Sequence, residues 1–158
     1  MKAIFFACLL MYPAIAAGWE LDGFRSGMND DEVTSVMTKR GQPSLMRTPI
    51  SNIPGAYTLH PPGQDNTLWF TFCKGRMYEY SKERDGRVSV FARLVDAETK
   101  KRGHDPETSI TYFPTASLIL ATWRAGDYQF EYLLAEDYKH TLGIAEHHID
   151  VAVKSSCT

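Results

Sequence analysis

The phrase TKRGQP at Thr38–Pro43 returns as KKRGHDP at Lys100–Pro106, each time behind apolar residues at helical spacing. A unit used twice constrains the fold more than composition does, because neither copy buries its apolar face without its twin. In the first copy Asn29 can cap a helix while Glu32 reaches back to it, and Asp30 and Asp31 suit the positive end of the helix dipole. Val33, Val36 and Met37 form the stripe, Lys39 and Arg40 suit the other end, Gly41 supplies a left-handed stop, and Pro43 prevents continuation. The second copy offers Ser89 as cap, Phe91, Leu94 and Val95 as stripe, Lys100 to Arg102 as last turn, and Gly103 and Pro106 as stop. Both phrases read as helix C-termini.

Each helix is followed by apolar, β-branched and aromatic runs broken at a glycine, Thr67–Tyr80 about Gly75 and Ser117–Leu134 about Gly126, the pattern of a hairpin. The segment HHIDVAVK, with Ile149, Val151 and Val153 alternating against polar neighbours, reads as one more strand. Ser44–Asn66 holds Pro49, Pro54, Pro61 and Pro62 and reads as a long ordered loop with a short edge strand at most, around Tyr57 to Leu59. The expected fold is therefore α+β. Tandem helix-plus-β-hairpin units, about 24–84 and about 88–154, share one antiparallel sheet of about five strands with two helices packed on one face.

The first residues place this domain in a compartment. Lys2, the apolar run Ala3–Tyr12, Pro13 and the small residues Ala14, Ala16 and Ala17 follow the layout of a cleaved secretory signal peptide, residues 1–17. Residues 18–158 are then a single exported domain in a bacterial periplasm or beyond, without a lipid anchor. Its size lets it bury roughly two thirds of its unfolded surface, so it needs no metal to fold. The net charge of −2, or −3 once Lys2 is removed with a leader that holds no acid, and the scattered basic residues speak against nucleic acid and against a basic membrane-binding face. In an oxidising compartment Cys73 and Cys157 are expected to pair, two free buried thiols being the alternative.

Period 2 sorts the hairpin side chains. Leu68, Phe70, Phe72, Met77, Ile119, Ala121, Trp123, Tyr128, Phe130 and Tyr132 make the richer face, which the helices should cover. Trp69, Thr71, Cys73, Arg76, Tyr78, Tyr80, Leu118, Leu120, Thr122, Gln129 and Glu131 fall on the other. Large rigid rings on an open sheet face suit recognition of another protein, with Trp69, Arg76, Tyr78, Tyr80 and Leu120 as the contact patch. Alternatively, the proline-rich loop folds over these rings and makes them a second small core.

The stretch FRSGMNDDEVTSVMTKRGQP resembles the Gly-Met, acidic-cap, Gly-x-Pro helix of small exported bacterial domains related to BamE/SmpA, of the β-barrel assembly machinery. The doubling of a helix-plus-hairpin unit is similar to that of the β-lactamase inhibitor protein (BLIP) family. The resemblance covers about twenty residues, or about forty with the second copy. It implies a non-enzymatic domain that binds another envelope or secreted protein through a sheet face. The chain departs from the first family in lacking a lipobox cysteine, and from the second in lacking an inhibitor-specific motif.

Catalytic and cofactor patterns are thin. His140, His147, His148 and Asp150 lack metal-ligand spacing, and adjacent histidines in a strand point to opposite faces. No nucleophile elbow, phosphate loop or dinucleotide fingerprint occurs, so no cofactor is expected and no catalytic residue is assigned. The competing function is a small secreted hydrolase or ligand carrier whose site gathers distant residues such as His60, His147 and Glu131.

Overall fold

A computed structural model describes residues 18–63, 68–114, 116–136 and 141–157; the expected leader, 1–17, and His140 lie outside them. A two-stranded hairpin, β1 (Glu20–Leu21) and β2 (Phe24–Arg25), precedes helix α1 (Asp30–Lys39). Four strands follow: β3 (Met46–Pro49), β4 (Ala56–His60), β5 (Leu68–Cys73) and β6 (Arg76–Asp85). Helix α2 (Val88–Arg102) then leads into β7 (Glu107–Phe113), β8 (Ala116–Ala125), β9 (Tyr128–Glu136) and β10 (Leu142–Asp150), and α3 (Val151–Ser155) ends the chain. The strands form one eight-stranded antiparallel sheet in the order β3-β4-β5-β6-β10-β9-β8-β7. Each half contributes a helix and a four-strand meander, and the halves join through their last strands, β6 and β10.

The expected five-strand sheet with two helices is thus corrected to a mostly β architecture with eight strands and a third helix. The physical reasons are local. Pro49 is the last residue of edge strand β3, where a missing N–H costs no ladder bond, and Pro54 lies in the connection to β4. The prolines therefore bound a hairpin instead of excluding one. Strand β7 is exposed at every residue, so burial left no strong alternation to read. The strand through HHID ends at Asp150, whose carboxylate accepts the Val153 N–H (3.0 Å) and caps α3, turning Val151 and Val153 into helix.

Helix α1 begins with a complete capping box: Asn29 Oδ1 accepts the Glu32 N–H (3.0 Å) and Glu32 Oε2 accepts the Asn29 N–H (2.9 Å). Just past its C-cap, Gly41 takes φ +80°, and Gly103 ends α2 at φ +74°. Ser89 does not cap α2; the helix starts at Val88 behind Arg87, two residues earlier than a Ser89 cap would place it and with no side-chain cap. Both helices lie on the same side of the sheet. Val33 and Met37 of α1, fully buried, pack on Tyr57, Leu59, Phe70, Phe72, Met77 and Tyr80, each such side chain contributing about 1.5–3 kcal/mol. Phe91, Leu94 and Val95 of α2 pack on Ala121, Trp123, Phe130, Tyr132, Leu134 and Ile144, and Tyr128 touches both clusters.

Cys73 and Cys157 are bonded, with Cα atoms 5.6 Å apart. The bond draws the C-terminal turn onto the far side of the sheet, where Val153 and Cys157 cover Tyr78 and Ile149. No helix among the described residues is long and apolar enough to cross a membrane.

Candidate binding face

On the side of the sheet away from α1 and α2, the register aligns one row of side chains across all eight strands. The row runs Met46, His60, Trp69, Ser81, His147, Glu131, Thr122 and Glu107. Within the row His60, Ser81 and Thr122 are buried. Beside it, Ala145, Leu133 and Leu120 lie opposite one another as an apolar strip on β10, β9 and β8. Among the described residues, the helix packed on this side is α3, at one end of the central strands β5, β6 and β10. Within the proline-rich segment, residues 46–49 and 56–60 are strands of the sheet itself and not a loop folded over it.

The middle of the row is charged. His147 Nδ1 lies 2.6 Å from Glu79 Oε1. Burial disfavours the imidazolium, but the hydrogen bond and charge of Glu79, with Glu131 and Glu83 nearby, outweigh it and raise the His147 pKa. Glu131 Oε1 accepts from Thr122 Oγ1 (3.1 Å) and from Gln129 Nε2 (2.6 Å). Arg124 Nε donates to Gln129 Oε1 (3.1 Å), and Arg124 also pairs with Glu107. At the other end, the ring of Trp69 leans on His60 with centroids 4.5 Å apart. The Trp69 indole N–H is buried without an acceptor among the described residues, a cost of about 1–3 kcal/mol.

The expected contact residues are dispersed. Trp69 and Leu120 share this face, four strand spacings and roughly 19 Å apart. Arg76 is exposed at its margin, opposite Cys73. Tyr78 is on the same side but buried under α3; burial, with the Glu79 carboxylate beside it, pushes its hydroxyl up to about 12. Tyr80 is withdrawn from the patch. A β-bulge makes Thr71 pair with Glu79 and Phe72 with Met77, leaving Tyr78 as the extra residue, so Tyr80 lies opposite Phe70 in the helix-side core. His147 and Glu131 stand directly opposite each other, whereas His60 is on β4, three strands and roughly 14 Å from β10.

Sequence reasoning missed a cleft of about 460 Å³ on the helix side, between α2 and the N-terminal hairpin. His148 stands within it, 2.9 Å from the Tyr128 hydroxyl on one side and 2.9 Å from Glu146 on the other, and Arg84 adds a 2.7 Å bond to Glu146. The His148 hydrogen bond, working against burial and aided by Arg84 and Lys82, holds the Glu146 carboxyl below its usual range. Arg102 bonds Glu98 at 2.7 Å and lies over the Phe130 ring at 4.9 Å. The available signals were the Glu98–Arg102 pair at helical i,i+4 spacing and the two adjacent histidines, which strand geometry sends to opposite faces. Among the described residues, no group of three or more metal-ligating side chains is assembled.

No family model matches the chain, nor does any curated protein or solved structure.

Proposed function

We propose that the chain is a periplasmic or secreted, non-catalytic protein-binding module, an inhibitor or envelope-assembly accessory. It meets another envelope or secreted protein through the sheet face opposite α1 and α2. The observation that carries this reading is the cross-strand row from Met46 to Glu107, which runs from edge to edge of the sheet on the side those helices leave uncovered. Eight strands spaced about 4.8 Å apart and about six residues deep present roughly 700 Å², close to the ~800 Å² one partner contributes to a standard interface. Trp69 and the leucine strip supply apolar anchors, and the His147 and Glu131 groups between them supply polar selection. The Cys73–Cys157 bond fits an oxidising compartment. A non-catalytic binding role is also what the resemblance to the BamE/SmpA and BLIP families implies. The competing hydrolase loses His60 from its site, because that ring is packed on Trp69 and not beside His147.

Photo-crosslinking in intact cells tests the proposal. A photoreactive residue at Leu120 should give a discrete adduct with another protein, one at exposed Lys101 on α2 should not, and Trp69→Ala should reduce the Leu120 adduct at least fivefold while the domain stays folded. Equal labelling from both faces, or none from Leu120, would overturn it.

A further inference from the structure

An open sheet of eight strands has two edges, and here they differ. Edge β3 has four residues, ends in Pro49, and carries Arg47, whose guanidinium lies 3.6 Å from the Tyr57 ring centroid and 3.5 Å from Asp30. Shortness, proline and charge are the devices that discourage a further strand from adding. Edge β7 is longer and has no proline within it. Its seven residues, ETSITYF, are exposed throughout, with Ile110 at 55%, Tyr112 at 77% and Phe113 at 53%. Its one carboxylate, Glu107, is already engaged by Arg124 of β8. Strong β-formers with a backbone edge unpaired among the described residues, their one charge engaged, form a template for another strand.

The occupant is indicated by the pattern of β7 itself. Around Ile110 the strand is nearly palindromic, with a hydroxyl-bearing residue at each of Thr108, Ser109, Thr111 and Tyr112. We propose that β7 pairs antiparallel with β7 of a second copy of this chain, about a two-fold axis through Ile110, so that two sheets become one continuous sheet. In that register Ile110 meets Ile110, Thr108 meets Tyr112, and Ser109 meets Thr111. Apolar, aromatic–β-branched and hydroxyl pairs all stabilise neighbouring strands, and no like charges oppose. Pro106 and Pro114, which lack N–H groups, bound the pairing window at its two ends. The rings and Ile110 expose on the order of 350 Å² per copy, since an aromatic side chain presents about 150–250 Å². With the strand backbone, the pair approaches the ~1,000 Å² total at which specific association begins. An isologous contact of this kind closes at two copies.

Sedimentation velocity on the exported chain, from about 1 to 200 µM, should show a monomer passing to twice the monomer mass as concentration rises. Ile110→Lys and Ile110→Glu should each weaken self-association at least tenfold, because like charges then meet on the axis. An equimolar mixture of the two should recover the dimer, because unlike charges then meet. Ile110→Cys is a second measurement that does not depend on the charged variants folding: mild oxidation should link two chains through residue 110, while Val88→Cys, 60% exposed on α2, stays unlinked. A wild-type chain that stays monomeric throughout, a dimer indifferent to either charge, a mixture that fails to recover it, or cross-linking equal at residues 88 and 110 would each overturn the proposal.

Discussion

Replacing Cys157 by serine cuts the covalent tie between β5 and the C-terminal turn, and the cost can be worked out in advance. The bond spans a sequence separation of 84 residues. In the chain-entropy account, closing a loop of that length removes about 15 cal/mol/K from the unfolded chain, or about 4.6 kcal/mol at 25 °C. A domain the size of residues 18–158 unfolds with an entropy near 0.3 kcal/mol/K, so Tm should fall by about 15 °C. A smaller loss adds to this, because α3 no longer holds Val153 and Cys157 against Tyr78 and Ile149. Cys73, 1% exposed, can remain as a small buried thiol without penalty. The assay is thermal melting of the wild type, of the variant, and of the wild type with reductant, together with urea unfolding. The m-value should rise when the bond is lost, because the released unfolded chain exposes more surface. A Tm drop under about 5 °C with an unchanged m-value would refute the view that the cross-link acts on the unfolded state.

Two further outcomes test the sheet. The raised pKa of His147 means that its contribution to stability is complete below its ordinary value of 6.5 and is lost as pH rises through the folded-state value. Melting temperature should therefore decline over that upward interval, and His147→Gln should flatten the decline; an unchanged profile would show that Glu79 and Glu131 do not hold the proton. A Cβ at Gly86 would lie 2.8 Å from the Gly143 carbonyl carbon, backbone against backbone. Gly86→Ala should cost about 1–3 kcal/mol by urea denaturation, whereas Gly143→Ala, whose Cβ meets nothing within 4 Å, serves as the mild control.

What the sequence disclosed was local in origin. The capping box of Asn29 and Glu32, the stops at Gly41 and Gly103, and the hairpin glycines all act within a few residues of themselves. Lys74 and Gly75 both take positive φ, 48° and 78°, as a tight two-residue turn requires. The helix-side core residues also followed from period 2, with one exception. Tyr80 changed sides because Tyr78 bulges out of register, and Tyr78 is covered by a C-terminal turn that a bond to Cys73 brings from far along the chain. Strand β7 stayed hidden for a related reason: β8 is its partner, and its own side chains are solvated on every residue. At the candidate face, Trp69 and Leu120 were readable as neighbours of their own hairpins. The distance between them was not, because it depends on β6 and β10 forming the seam between the halves.

That seam has a consequence for assembly. Because the two meanders meet through their last strands, the first strand of each is left on the outside, so β3 and β7 occupy equivalent places in the two halves. A repeat with both ends adhesive would lengthen into a filament at high concentration. Here one end is stoppered by proline and arginine, so in the proposed β7–β7 pairing both outer edges of the joined sheet are β3 and strand addition stops at two copies.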